Sequence, residues 1–178
     1  RDIKENDKDI VLIKSNEIPV YAFANAVDDH LMKTTIDDRG EEWFSSLASR
    51  LEDFDALGFE KINYLHTPKL CKIDENGNKI KLSKRKHPEA DSRYFVRLGI
   101  PVVAIHEYLL NLANSDFEIW RAKNPELSYK EFPFSISKMG SNNPMFDMVK
   151  LFDVSKKIIS KMTAEEVYDK VFEWAKEF

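Results

Sequence analysis

Residues 76–90 read NGNKIKLSKRKHPEA, and five of the eight side chains from Lys79 to Lys86 are basic in a chain whose net charge is −4. Asn-Gly between two alternating runs is the strongest short-range signal for a hairpin. LCKIDENGNKIKLS alternates on both sides of Asn76-Gly77, so the spacing predicts two antiparallel strands. The returning strand then delivers Lys79 to Arg85 into the loop that follows. A rigid hairpin thus positions this basic run, which a merely solvated charge run would not need. The character of the chain changes just beyond, near residue 87: the part before it reads as α/β and the part after it as all-helical.

The composition bounds what such a chain can be. At 178 residues it holds one domain of ordinary size or two small ones. It is 43% hydrophobic and 12% aromatic, rich enough for a packed core and unlike a disordered chain. The single cysteine, Cys71, excludes an intrachain disulfide and any cysteine-based metal cluster. It fits a reducing, cytoplasmic setting. No apolar run nears the roughly 20 residues a membrane span requires, and the polar start RDIKENDKD is not a signal peptide. Mild acidity argues against a protein that coats nucleic acid with its whole surface, but leaves a local basic site open.

Outward from the hairpin, residues 9–14 and 18–23 are β-branched and aromatic and read as strands around the turn SNE. A helix is expected over 24–33. A short strand is expected over 34–39, although Asp37 and Asp38 oppose it. Trp43, Leu47, Leu51 and Phe54 fall on one face of a helix over 40–57, with Gly58 as its stop. Residues 62–68 read as a strand ended by proline. Downstream, helices are expected over 88–98, over 101–114 with Ala104, Tyr108 and Leu112 on one face, and over 117–123. Turn-rich punctuation covers 132–144, and a short helix 146–151. The final helix carries a capping box, Thr163 with Glu166, and a staple pair, Met162 with Val167. Its expected apolar stripe is Val167, Val171 and Trp174. The chain stops inside that helix without a glycine cap, which suggests a piece of something longer.

Few constellations carry chemistry. Asp28-Asp29-His30 places three ligand-type side chains in a row, but helix neighbours point about 100° apart and do not converge. The run reads as a solvated face with a capping or packing histidine, and no metal site is expected. No nucleophile elbow, Walker A or dinucleotide fingerprint occurs, and five glycines do not make a phosphate cradle. Lys81-Leu82-Ser83-Lys84-Arg85 differs. Taken alone, a charged loop is the plainer reading. Physically, two lysines three apart with a serine between them can wrap a polyphosphate and stabilise the charge that develops as a phosphoanhydride breaks.

KLSKR also resembles the second signature of class I aminoacyl-tRNA synthetases. The likeness extends through PVYAFANAVDDHLM (19–32), RGEEWFSS (39–46), ALGF (56–59) and the hairpin, in the order and spacing of bacterial glutamyl-tRNA synthetases. It continues through EYLLNLANSDFEIWR (107–121) and 146–176. The resemblance implies α/β followed by all-α: the second half of a Rossmann-type nucleotide-binding domain over 1–86, then a helical stem-contact domain over 87–178. It implies an ATP-dependent glutamate–tRNA ligase whose substrates are glutamate, ATP with Mg2+, and the glutamate tRNA. Tyr21, Asn25 and Arg39 match glutamate-pocket residues, with Arg39 pairing a carboxylate in fork geometry. Glu42 and Trp43, with Lys84, match the ATP side. Lys81, Ser83, Lys84 and Arg85 match the mobile phosphate loop.

The resemblance also breaks. The family's first signature, His-Ile-Gly-His, is missing from this sequence. A middle piece is therefore expected, inactive alone and holding no cofactor tightly. Ile36-Asp37-Asp38 stands where the family usually has His-Val-Ile. Residues 48–54, ASRLEDF, stand where it has an apolar helix such as Pro-Ile-His-Ile-Gln-Leu-Phe. Carboxylates there are expected to need water around them. Conversely, Val102 and Val103, with Ile105 and Ile100 nearby, form an expected apolar patch within 91–105 that suggests a protein partner. A second reading follows: an engineered binding scaffold built on this synthetase piece.

Overall fold

The computed structural model describes residues 3–178; Arg1 and Asp2, the start of the polar N-terminal run, lie outside the described residues. The chain divides into two compact units, one ending at Thr67 and the other spanning Pro68–Phe178.

The first unit is a βαβ arrangement preceded by a helix. α1 (Tyr21–Leu31) leads to β1 (Ile36–Gly40), a 3-10 turn (Glu41–Ser46), α2 (Leu47–Leu57) and β2 (Asn63–Thr67). β1 and β2 pair in parallel, with Asp37 opposite Tyr64 and Arg39 opposite His66. The strand expected over 18–23 is absent. Only the bridge Ile13 to Pro19 forms, and the helix begins at Tyr21. The alanines at 22, 24 and 26 favour helix, and Ala26 is fully buried. Gly58 ends α2 in the left-handed conformation, φ 68°, and the Phe59 N–H reaches back to the Phe54 carbonyl, as its position predicted.

The expected face of α2 needs correction. Trp43 lies outside the helix, in the 3-10 turn, and is 39% exposed. The buried positions are Leu47, Arg50, Asp53 and Phe54, so two charged residues face inward where an apolar stripe was expected. His30 stacks on Phe59 with ring centroids 3.7 Å apart, which is the packing role expected of it. Its neighbour Asp29 is buried rather than solvated.

In the second unit, β3 (Cys71–Ile73) and β4 (Lys79–Lys81) form the expected antiparallel hairpin. The Asp74 carboxylate accepts from the Asn76 and Asn78 N–H groups at 2.9 and 2.7 Å, and Gly77 supplies the positive φ of 80°. Those N–H donors hold the Asp74 carboxyl below its usual range. Backbone bonds dock the hairpin on 144–146: Cys71 N–H to the Pro144 carbonyl, and Phe146 N–H to the Cys71 carbonyl. The hairpin therefore packs with the helices, and the boundary between the compact units falls before it.

α3 (Ser92–Arg97), α4 (Val102–Ala113), α5 (Asp116–Lys123), α6 (Met148–Ile159) and α7 (Ala164–Glu177) follow. The core joins Phe95, Ile100, Ala104, Ile105, Tyr108 and Leu151. The α4 face expected from spacing is the buried one, with Ala104 and Tyr108 almost wholly covered. α6 is longer than the expected 146–151 helix. Asp147 caps it by accepting from the Val149 and Lys150 N–H groups, and its own N–H donates to the Tyr108 hydroxyl at 2.6 Å. In a second aromatic cluster, Phe132 packs edge to face against Phe117 and Trp120 of α5. The capping box of α7 is present, but its expected stripe is only partly covered: Val167 is half-buried and Val171 is 57% exposed, while Trp174 donates its indole N–H to the Val96 carbonyl.

Asp53 carries a cost that can be measured. Its Oδ2 atom is buried without a partner, and burial, partly offset by Arg50, raises its carboxyl above the ordinary 3.8. The native state then holds this proton more tightly than the unfolded chain does. Stability is undiminished below about pH 3.8 and falls as pH rises through the native value. Replacing Asp53 by Asn is expected to stabilise the protein at neutral pH by about 1–3 kcal/mol and to abolish that acid-side slope. Urea unfolding of both proteins across this pH range checks it.

Candidate substrate-binding site

In the first unit, three positions on one face of α1 converge on one strand residue. Tyr21, Asn25 and Asp29 recur every four residues and so share a face of the helix. Arg39 comes from β1, with its side chain on the same side of the pair as that of Asp37, two residues earlier. The Arg39 guanidinium lies 5.7 Å from the Tyr21 ring centroid and 5.5 Å from that of Trp43. The two rings sit 5.4 Å apart. Asn25 Oδ1 accepts a hydrogen bond from Arg39 Nη2. Four of the residues expected to bind substrate, Tyr21, Asn25, Arg39 and Trp43, are therefore gathered into one half-open cluster. Tyr21 is 61% exposed, so the aromatic wall has a solvent-facing side.

Beneath this cluster lies a charge network. The Arg39 Nε–H donates to Asp37 Oδ2 at 2.6 Å. The same carboxylate oxygen is 3.6 Å from Arg50 Nη2, which also pairs with Asp29. Arg50 further donates to the Tyr64 hydroxyl at 3.1 Å and the Ala22 carbonyl at 3.3 Å. Burial pushes the Tyr64 phenol up, against the pull of Arg50. Asp37 was expected to need water; it is met instead by two guanidinium groups, and only Asp38, on the other face of the strand, is exposed. Glu42 lies in the 3-10 turn, its carboxylate folded over Gly40. A Cβ there would come within 2.4 Å of Glu42 Oε2.

Sequence reasoning missed Asp29 and Arg50. The signal was available: Asp29 extends the Tyr21–Asn25 spacing by one turn, and Arg50 sits three residues after Leu47 and four before Phe54, on the buried face of α2.

In the second unit, the KLSKR segment leaves β4 as a pinned loop. Leu82 is buried and its N–H donates to the Leu70 carbonyl at 2.9 Å. The Ser83 N–H donates to His87 Nδ1 at 3.1 Å, and the Lys86 and His87 N–H groups return to the Ser83 carbonyl. Lys84, Arg85 and Lys86 project from the resulting turn, exposed. Lys72 and Glu89 pair at 2.6 Å alongside. Burial alone would raise the Glu89 carboxyl, but the hydrogen bond and charge of Lys72 hold it below its usual range. A cavity of about 370 Å³ lies under the loop, lined by Leu70, Lys81, Leu82, Lys84, Glu89 and Phe95 among others. A pinned turn with exposed cations suits a flexible polyanion such as a polyphosphate.

The patch expected around Val102 is smaller than its sequence suggests. Val102 and Val103 are exposed, but Ile105 and Ile100 belong to the core. Helical geometry turns position 105 inward beside Ala104 and Tyr108. Among the described residues no group of His, Cys, Asp and Glu side chains could hold a metal ion, and no helix is long and apolar enough to cross a membrane.

The family model for tRNA synthetases class I (E and Q), catalytic domain, matches residues 2–162. The chain belongs to this family. It is 51% identical over 98% of its length to the glutamate–tRNA ligase of Clostridium beijerinckii, and 50% identical over 97% to that of Acetivibrio thermocellus. It covers 31% and 32% of those proteins, so the chain spans about a third of the length of the curated relatives it matches. Among solved structures, a glutamate tRNA ligase from Elizabethkingia meningosepticum in complex with its amino acid aligns with 88% of this chain and 33% of that one. The TM-score is 0.73 at 26% identity. The fold is therefore that of a class I synthetase catalytic domain, with mixed α/β content.

The charge network makes a direct prediction. Arg50→Ala leaves Asp29 buried without its counter-charge, which typically costs about 3–5 kcal/mol. Chemical denaturation is expected to show that loss, and the double change Arg50→Met with Asp29→Leu to recover most of it.

Proposed function

We propose that this chain supplies part of the working site of a glutamate–tRNA ligase, the enzyme class of its relatives, which joins glutamate to its tRNA at the expense of ATP. The observation that carries this reading is the Arg39 guanidinium, held by Asn25 beside the adjoining rings of Tyr21 and Trp43. In this reading Arg39 meets a carboxylate of glutamate, Tyr21 and Asn25 line the amino-acid pocket, and Glu42 and Trp43 face the ATP side. Lys81, Ser83, Lys84 and Arg85 hold the triphosphate, where their positive charge offsets the negative charge that grows as pyrophosphate leaves. Mg2+ arrives with ATP as part of the substrate. Residues 1–86 act as the second half of a Rossmann-type domain, and 87–178 as the helical segment that contacts the tRNA stem. The setting is the cytoplasm. The chain contains no His-Ile-Gly-His, and by itself it binds substrates without completing the aminoacyl transfer.

Binding to ATP and to the glutamate tRNA, measured by calorimetry at low and at moderate salt, tests the reading. Lys84→Ala with Arg85→Ala is expected to weaken both by at least about tenfold. For tRNA it should also reduce the slope of log K against log salt by between about 1 and 2, since each phosphate contact contributes about 0.7–0.9. Affinities that ignore both salt and these two changes would remove the loop from the site.

A further inference from the structure

Arg39 is the residue assigned above to a substrate carboxylate, and the inference rests on that reading. A guanidinium has five N–H donors in a planar fork. Here the Nε–H is committed to Asp37 Oδ2 at 2.6 Å, and Nη2 donates to Asn25. Among the described residues Nη1 makes no hydrogen bond. Asp37 is not a passing surface partner: its side chain is 14% exposed, and the oxygen that meets Arg39 also lies 3.6 Å from Arg50. Turning it away would forfeit both cations. The formal charges of Asp29, Asp37, Arg39 and Arg50 sum to zero, so an incoming carboxylate meets a group whose positive charge is already matched.

We propose that Asp37 is a built-in competitor for the substrate's carboxylate and so sets the affinity and charge selectivity of the Arg39 pocket. It holds the Nε edge of the guanidinium and leaves a ligand only the Nη1–Nη2 end. Fork-shaped pairing through Nε and Nη2 is closed while Asp37 is in place. Its negative charge also erodes the preference for an acid over the isosteric amide, because that preference comes from the net positive field at Arg39.

The test is an NMR titration of the whole chain with glutamate, glutamine and glutarate, read at the Trp43 indole and Arg39 Nε–H signals. Wild type, Asp37→Asn, Asp37→Glu and Arg39→Lys are compared. Asp37→Asn keeps the shape and removes the charge. Arg50 retains Asp29 and Tyr64, and Arg39 retains Asn25, so the network loses one member. The expected result is that Asp37→Asn tightens glutamate and glutarate at least about tenfold (about 1.4 kcal/mol). Glutamine should stay within about twofold, and Asp37→Glu should stay near wild type. Asp37→Val repeats the removal of charge with a residue suited to a strand, should the first variant not fold. Glutarate tightening in Asp37→Asn, with glutamate bound no better than glutarate, upholds the competition and overturns the glutamate assignment. Glutamate bound equally by wild type and Asp37→Asn but lost in Arg39→Lys upholds the assignment and overturns the competition. Acids bound no more tightly by either uncharged variant than by wild type overturn it outright.

Discussion

Arg50 is the point on which the first unit turns. Its guanidinium touches α1 through Asp29 and the Ala22 carbonyl, β1 through Asp37, and β2 through the Tyr64 hydroxyl, while its own backbone belongs to α2. Both α-helices and both strands of the parallel pair are thereby tied to one buried cation. This matters because the apolar core there is small: Ala26, Leu47 and Phe54 are its buried hydrophobic members. A parallel pair of strands needs helices over it to be stable, and here charge complementarity decides how those helices sit. A buried ion pair adds little net stability over an apolar substitute. Its contribution is geometric, because satisfying Arg50 requires α1 and both strands in one register.

The second unit is organised by the opposite means. Tyr108, Leu151 and their neighbours form an apolar interior, and a polar group within it is the Tyr108 hydroxyl, which accepts the N–H of the residue that caps α6. Burial pushes that phenol up, so it stays protonated and neutral in the core. The hairpin is anchored by backbone bonds to 144–146 and by Leu82, one residue from Ser83. Fixed backbone on both sides of a short turn presents the exposed Lys84, Arg85 and Lys86 side chains from a set origin. That combination suits a ligand whose charge is large and whose shape changes during reaction.

What could be read from the sequence follows from how local each cause is. The Asn76-Gly77 hairpin, the Gly58 stop and the Thr163 capping box depend on residues within five positions of one another, and all three are present as expected. The start of α1 at Tyr21 and the length of α6 depend on cooperative helix extension, which short windows undercount. The aromatic and polar members of the candidate site were found through family likeness, since Tyr21 and Trp43 alone read as core. Asp29 and Arg50 escaped because hydrophobic periodicity counts only apolar residues. A helix that buries a charge against a partner from another element looks, by that measure, like a helix with a wet face. Ile105 shows the converse: apolar neighbours in sequence were read as one patch, and the helix divided them between core and surface.

The departures from the family pattern gain meaning once the network is seen. Asp37 stands where an apolar residue is usual, and Arg50 stands within a helix segment that is usually apolar. Each meets two groups of opposite sign, Asp37 with Arg39 and Arg50, and Arg50 with Asp29 and Asp37, which offsets the cost of burying a charge. Together their side chains lie 3.6 Å apart, with Asp29 and Arg39 completing a neutral set. Asp53 is the unmatched member of the same helix. It faces inward with a buried oxygen that no donor reaches, and burial, only partly offset by Arg50, raises the proton affinity of its carboxyl.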